Sequence, residues 1–321
     1  MDGVGDGMLE KSQRAQIAEL VTVRDWLRFG VSAFTKARLV FGHGTATALD
    51  EAAFLILMAL HLPIDRLEPW LDARLTLDER REIAELFERR IETRKPAPYL
   101  VSSAFIQGHR FYVDERVIVP RSYIGELLGD GLSGVIAEPG RVSRVLDVCT
   151  GSGCLAILAA LAFENAHVDA VELSGDALAV AARNIDDYGL HDRITLYASD
   201  LFEALDPGQC YDLIIANPPY VATAEVAVFG PEYRAEPAMA HAGGVDGLDL
   251  VRKILDQAPG HLNPGGTLIV EIGTGREALE KAYPALDFFW LDTQESEGEV
   301  FALTAQQLKT APSYSKSKSR R

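Results

Sequence analysis

The chain has little cysteine, no long apolar run and a deficit of positive charge. Its 321 residues include three cysteines, Cys149, Cys154 and Cys210. None stands in a Cys-x-x-Cys pair and no histidine cluster accompanies them. A zinc site or disulfide framework is therefore not expected, and no metal is assigned. The plain reading is small, reduced core residues. The longest apolar stretch near the start, Ala52 to Leu60, is too short to span a bilayer. The opening residues carry Asp2, Asp6 and Glu10 and lack the basic start and apolar core of a signal peptide, so a cytoplasmic protein is expected. Lys and Arg number 31 against 47 Asp and Glu, a formal net charge of −16. Such a field repels a polyanion unless positive residues cluster, and it attracts a basic protein. Acidity that merely maintains solubility is the competing reading.

What is present is a globular composition, 48% hydrophobic, with length for about two domains. Residues 1–20 are polar, glycine-rich at the start and expected to be frayed. From Thr22 to Thr35 the residues Val23, Trp26, Leu27, Val31 and Phe34 recur at helical spacing, with Thr22 as N-cap. After the break Phe41-Gly42-His43-Gly44-Thr45, further helices are expected at Asp50 to Leu60, Asp65 to Leu71 and Thr76 to Thr93. The last has an apolar stripe of Leu77, Ile83, Leu86, Phe87 and Ile91. Residues 21–95 thus read as a small helical domain. Residues 96–120 read as a joint, with a hairpin of Ala104–Ile106 and Phe111–Val113 about Gln107-Gly108-His109.

A helix from Ser122 follows, and from Val142 strands and helices alternate. Strands are expected at Val145–Val148, Ala166–Glu172, Ile194–Tyr197, Tyr211–Ala216 and Gly266–Ile272, with helices at Cys154–Phe163, Ser174–Tyr188 and Leu248–Ala258. This alternation predicts an α/β fold with a parallel, doubly wound, Rossmann-like sheet over residues 121–308. Two last strands, Phe288–Asp292 and Val300–Thr304, suggest the closing antiparallel hairpin of class I S-adenosylmethionine-dependent methyltransferases. Residues 309–321, with Lys316, Lys318, Arg320 and Arg321, read as a basic disordered tail.

Leu146-Asp147-Val148-Cys149-Thr150-Gly151-Ser152-Gly153-Cys154 is a strand, a glycine turn and a helix start. The glycines permit a tight turn and close approach of a ligand. The turn formally fits a dinucleotide fingerprint, with Glu172 placed for a ribose hydroxyl. Three features favour S-adenosylmethionine over a nicotinamide. Asp147 precedes the glycines, where a carboxylate suits a cationic ligand and repels a pyrophosphate. Asp200, in Ser199-Asp200-Leu201, follows the third strand and can accept from an adenine amino group. Asn217-Pro218-Pro219-Tyr220 follows the fourth. Its two prolines make a stiff turn short of N–H donors, with carbonyls free to accept. Such a turn beside an aromatic ring suits gripping a planar amino group and aiming its nitrogen.

The later part of the chain resembles the protein-glutamine N5-methyltransferases, which modify release factors and one ribosomal protein. The resemblance rests on Val119-Pro120-Arg121, Asp147 to Gly153, Asn217 to Tyr220, Glu232-Tyr233-Arg234 with Glu236-Pro237, and Gly244-Val245-Asp246-Gly247-Leu248. Phe41 to Thr45, Asp50-Glu51-Ala52 and Phe111-Tyr112-Val113-Asp114-Glu115-Arg116 are similar to the PrmB branch, which methylates a glutamine of large-subunit ribosomal protein L-three. The resemblance spans about residues 20–308. On the charge argument, the helical domain is expected to recognise a basic ribosomal protein as substrate. The resemblance implies that Asn217 and the carbonyl of Pro218 accept from the substrate amide, within a catalytic set of Asn217, Pro218, Pro219 and Tyr220. The cofactor set it implies is Arg121, Asp147, Thr150, Gly151, Gly153, Glu172, Leu173, Asp200, Leu201 and Asn217.

Tyr123 stands where the family has proline, and Ala46-Thr47 where the branch has Asp-Asn. These departures touch the substrate side. Three loop features carry two readings each. His43 contacts substrate or caps a neighbouring helix. Arg121 orients the cofactor or holds the joint. Glu232, Tyr233 and Arg234 close over the site or pair as a solvated loop. Rival functions are methylation of a release factor, adenine-N6 methylation of nucleic acid, which uses the same tetrapeptide, and a noncatalytic scaffold. The nucleic-acid rival calls for a basic groove, and the acidic body disfavours it.

Overall fold

A computed structural model describes residues 18–294 and 296–310. The expectations for residues 1–17 and for the basic stretch beyond Thr310 lie outside the described residues. The chain divides into two compact units, one of residues 1–102 with 230–235, the other of residues 103–229 with 236–321. Among the described residues no helix is long and apolar enough to cross a membrane.

The first unit is helical. Its main helices are α1 (Val23–Lys36), α2 (Ala48–Ala59) and α3 (Leu77–Thr93). Capping residues set each start. Thr22 and Thr76 form capping boxes with Asp25 and Glu79, and Thr47 accepts from the Asp50 amide. Trp26, Phe34, Leu55, Ile56, Ile83 and Phe87 make the core. Two expectations fail here. Residues Asp65 to Leu71 hold only a short 3₁₀ turn, Glu68–Trp70, because Pro69 lacks the N–H a continuing helix needs. Leu77, expected in the apolar stripe, opens α3 and is exposed, while Arg80 and Arg90 of that helix are buried.

The second unit begins with a hairpin, β1 (Ala104–Ile106) and β2 (His109–Phe111). Its turn is two residues, Gln107 and Gly108, both at positive φ, so the second strand starts two residues earlier than expected. Helix α4 (Tyr123–Gly129) starts at the N-cap Ser122. Then come β3 (Arg144–Val148), α5 (Cys154–Ala162), β4 (His167–Glu172), α6 (Gly175–Asp187), β5 (Ile194–Ala198), β6 (Tyr211–Ala216), α7 (Asp249–Gln257) and β7 (Leu262–Glu271). Helix α8 (Arg276–Ala282), β8 (Phe289–Leu291), β9 (Val300–Thr304) and α9 (Ala305–Thr310) complete it.

The seven strands lie in the order β5-β4-β3-β6-β7-β9-β8. The first five are parallel, and β9 runs antiparallel between β7 and β8. Alternation along each strand splits the core in two. Val145, Leu213, Ile215 and Ile269 face one layer with α4 and α5. Leu146, Ile214, Leu268 and Val270 face the other, with α7 and α8. This doubly wound sheet with its antiparallel closing hairpin is the class I methyltransferase fold. The order reverses between β3 and β6, where such sheets bind ligands at their carboxyl ends.

Candidate active site

Register brings the two key turns together. Val148 pairs with Ala216, so Cys149 and Asn217 leave neighbouring strands at the same level. After β3 the chain turns sharply, with Cys149, Gly151 and Gly153 all at positive φ. Cys149 is a non-glycine residue in a region it disfavours, as happens at functional turns. A side chain at Gly151 would enter open space, whereas one at Gly153 would press on Ala181 at 3.2 Å. Gly153 therefore serves the packing of α6, and Gly151 the open side.

Polar contacts pin this turn. The Gly151 N–H donates to Glu172 Oε2 at 3.0 Å, and Glu172 Oε1 accepts from the Ser174 amide at 2.9 Å. The fully buried Asn184 donates to the carbonyls of Ser152 and Tyr112 and accepts from the Tyr112 amide. One side chain thus joins the glycine turn to the segment after the hairpin. Asp147 lies beneath the turn and is fully buried. Thr150 Oγ1 donates to its Oδ2 at 2.5 Å, while Oδ1 sits beside the Ala156 amide without a well-formed hydrogen bond. Burial pushes its pKa up to about 7, against the Thr150 hydrogen bond. Burial, helped by Glu172, Asp147 and Asp200, also holds the Cys149 thiol well above its ordinary range, so it is no thiolate.

The tetrapeptide after β6 is covered by its own continuation. The amide of Val221 donates to the carbonyl of His241, and the amide of Gly243 donates back to Val221. A Cβ on Gly243 would stand 2.6 Å from the Pro219 oxygen, and one on Gly247 would collide with the Tyr220 oxygen. These glycines let residues 242–248 lie flush on the turn. The Tyr220 ring packs on Gly273, and its hydroxyl donates to Glu271 Oε1 at 3.2 Å.

A cleft opens over these strand ends. Gly151, Glu172, Leu173, Asp200, Leu201 and Asn217 of the expected cofactor set line it, as does Pro219. Asp147, Thr150 and Gly153 do not; they stand behind the wall. Pro218 is buried, and Tyr220 is turned toward Glu271. Arg121 is also absent from the wall. Its guanidinium is bidentate on Glu236, at 2.7 and 2.8 Å, and Glu236 also takes the Val119 amide and faces His241. Sequence reasoning missed Ile118, Cys149, Pro237, Met239 and Leu250, which belong to the apolar lining. Three of them lie in or beside motifs already singled out, which was the available signal.

The remaining expected residues belong to the first unit. His43 is buried against the Tyr233 ring, with centroids 4.3 Å apart. Gly42 leaves room for the Tyr233 hydroxyl. Glu232 is neither solvated nor in the cleft wall. It is fully buried, pairs with Arg94 at 2.6 Å and accepts from the Val40 amide. Arg90, also fully buried, pairs with Glu51 at 2.6 Å. Burial raises the Glu51 pKa, against the pull of Arg90.

The cleft suits a cationic, adenosine-bearing ligand better than a dinucleotide. Its first glycine N–H is already taken by Glu172, so it is not free for a pyrophosphate, and Glu172 and Asp200 on the wall repel one. Its apolar lining suits an adenine ring. Among the described residues no group of His, Cys, Asp and Glu could hold a metal ion.

Residues 132–229 match the methyltransferase small domain family. The chain is 54% identical to the ribosomal protein uL3 glutamine methyltransferase of Bordetella pertussis, covering 91% of this chain and 98% of that protein. The enzymes of the same name from Burkholderia pseudomallei and Bradyrhizobium diazoefficiens are each 55% identical, over 89% and 90% of this chain and 95% and 92% of their own. Identity at this level over nearly the full length of each relative shows that the chain belongs to the ribosomal protein uL3 glutamine methyltransferase family.

Proposed function

We propose that the protein transfers a methyl group from S-adenosylmethionine to the side-chain amide nitrogen of a glutamine in ribosomal protein uL3. One observation carries this reading: Asn217 and Pro219 line the same cleft as Glu172 and Asp200. The amide-gripping turn and the adenosine-reading carboxylates thus share one space.

Bound S-adenosylmethionine supplies an activated methyl group. Glu172 and Asp200 would accept from its ribose and adenine donors, and Gly151 would give room for its approach. The carboxylate of Asp147 acts from behind the turn, through Thr150 and the field it adds. A carboxamide nitrogen is a poor nucleophile because its lone pair is delocalised. Asn217 and the carbonyl of Pro218 accept its N–H groups and aim the nitrogen, an orientation worth up to ~7–11 kcal/mol in favourable cases. They also favour the pyramidal nitrogen of the transition state. The proton freed after transfer passes to solvent or to one of these acceptors, and no residue is assigned as a dedicated base.

The acidic chain suits encounter with a basic ribosomal protein, free or in early assembly, over an RNA-coated particle. The helical unit is the proposed recognition element. The test is to incubate the protein with labelled S-adenosylmethionine and, separately, free uL3, mature large subunits and naked nucleic acid, then map the label by mass spectrometry. A labelled glutamine in free uL3 is expected. A better acceptor in mature subunits removes the assembly reading, and one in nucleic acid removes the substrate reading.

A further inference from the structure

The methyl-transfer reading uses Asn217 and the prolines but leaves Glu271 without a role. Glu271 is the last residue of β7 and is fully buried. By strand alternation it shares a face with Ile269, toward α4. Three donors converge on it. Ser122 Oγ and the Tyr123 amide reach Oε2 at 2.6 and 2.9 Å, and the Tyr220 hydroxyl reaches Oε1 at 3.2 Å. None of the three is a cation, which is a costly setting for a carboxylate. An apolar residue would fill such a place more cheaply if packing alone were required.

The geometry points to Glu271 as a positioning residue that clamps the Asn217–Tyr220 turn by accepting from the Tyr220 hydroxyl. Asn217, at the start of the turn, faces the cleft. Tyr220, at its end, is gripped by Glu271, and Gly273 sits under its ring. The clamp fixes the far end of a turn already stiffened by two prolines, and so holds the acceptors in place. This rests on that turn being the one that receives the substrate amide.

The clamp is sensitive to protonation. Oε2 accepts two bonds and Oε1 only one, so an added proton goes to Oε1 and makes it a weaker acceptor for the Tyr220 hydroxyl. Burial pushes the Glu271 pKa up to about 7, against the hydrogen bonds from Ser122, Tyr220 and the Tyr123 amide. The charged groups acting on Tyr220 besides Glu271 are Arg121, which favours its phenolate, and Glu299, which opposes it. Tyr123 supplies its amide, and Glu126 of the same helix is turned to the Gln294 amide. Mild acid therefore loosens the turn, and Glu271→Gln mimics the loosened state.

The test measures single-turnover transfer to uL3 across pH 5.5–8.5 in wild type, Glu271→Gln, Tyr220→Phe and the double variant. It is paired with ¹³C NMR of tyrosine-labelled protein, with the Tyr220 signal assigned by its loss in Tyr220→Phe. The wild-type rate should fall toward acid. Glu271→Gln should run about tenfold slower at pH 8, with the acid limb removed and S-adenosylhomocysteine affinity kept. Its effect should vanish in the Tyr220→Phe background. The Tyr220 signal should titrate near neutrality in wild type only. Equal effects of Glu271→Gln with and without the Tyr220 hydroxyl, or a Tyr220 signal indifferent to Glu271, would overturn the clamp. Absence of wild-type transfer at every pH would instead remove the substrate reading, and the tyrosine signal alone would then decide the clamp.

Discussion

The two nitrogens at the end of Arg121 meet the two carboxylate oxygens of Glu236 at 2.7 and 2.8 Å. Parallel, charge-assisted bonds of this kind fix orientation as well as distance. They tie the Val119-Pro120-Arg121 segment to Glu236-Pro237, so two motifs far apart in sequence form one fastening. Ile118 and Pro237, each beside this pair, both reach the cleft wall. Arg121→Lys keeps the charge but loses the fork. It should slow methyl transfer about tenfold and weaken S-adenosylhomocysteine binding less, as rate and calorimetric measurements would register.

Asn217→Ala should lower single-turnover transfer by about a hundredfold or more, with cofactor affinity little changed. Asn217 offers no charge to a sulfonium, and its proposed partner is the substrate. Near-normal turnover at saturating uL3 would refute its role.

Replacing Glu172 or Asp200 by Ala should weaken S-adenosylhomocysteine binding by ~1–3 kcal/mol in calorimetry. Glu172 should cost more, because it also holds the Gly151 and Ser174 amides, whereas Asp200 is partly exposed. Tighter binding of NAD than of S-adenosylhomocysteine would overturn the cofactor assignment.

Gly247→Ala drives a Cβ into the Tyr220 carbonyl at a φ of +79°. Transfer should drop tenfold or more, with a stability loss of ~1–3 kcal/mol. Gly265→Ala is the control. Its φ is +84° but its surroundings are open, so it should cost stability alone.

Asp147 gives a signed pH dependence. Its pKa is about 7 in the folded protein against an ordinary 3.8, so the folded state holds a proton that the unfolded state releases between those values. Stability from this group is full below about pH 4 and is lost as pH rises through about 7. Asp147→Asn removes the loss. Its urea midpoint should gain on wild type between pH 5 and pH 8, and a gap that shrinks over that range would contradict the shift.

Much of the architecture was legible because it is local. Thr22, Thr76, Ser122 and Ser174 announce helix starts through bonds to amides two or three residues on. The buried parallel strands read as apolar runs, and glycines after β3 mark the turn. The partners that hold the site were not legible. Asn184 to Tyr112, Glu236 to Arg121 and Glu271 to Tyr220 are side-chain bonds across 72, 115 and 51 residues. No periodicity encodes such pairs, since only the fold makes them neighbours. The same limit explains Glu232, whose charge pattern suggests an exposed loop while its partners Arg94 and Val40 lie early in the chain.

The cover of glycines over Asn217-Pro218-Pro219-Tyr220 bears on the thermodynamics of substrate capture. The prolines fix two backbone angles, residues 242–248 press on the turn from one side, and Gly273 lies beneath the Tyr220 ring. Little conformational freedom remains in the turn for a bound glutamine to remove. The ordering entropy of capture should then fall mainly on the uL3 segment itself.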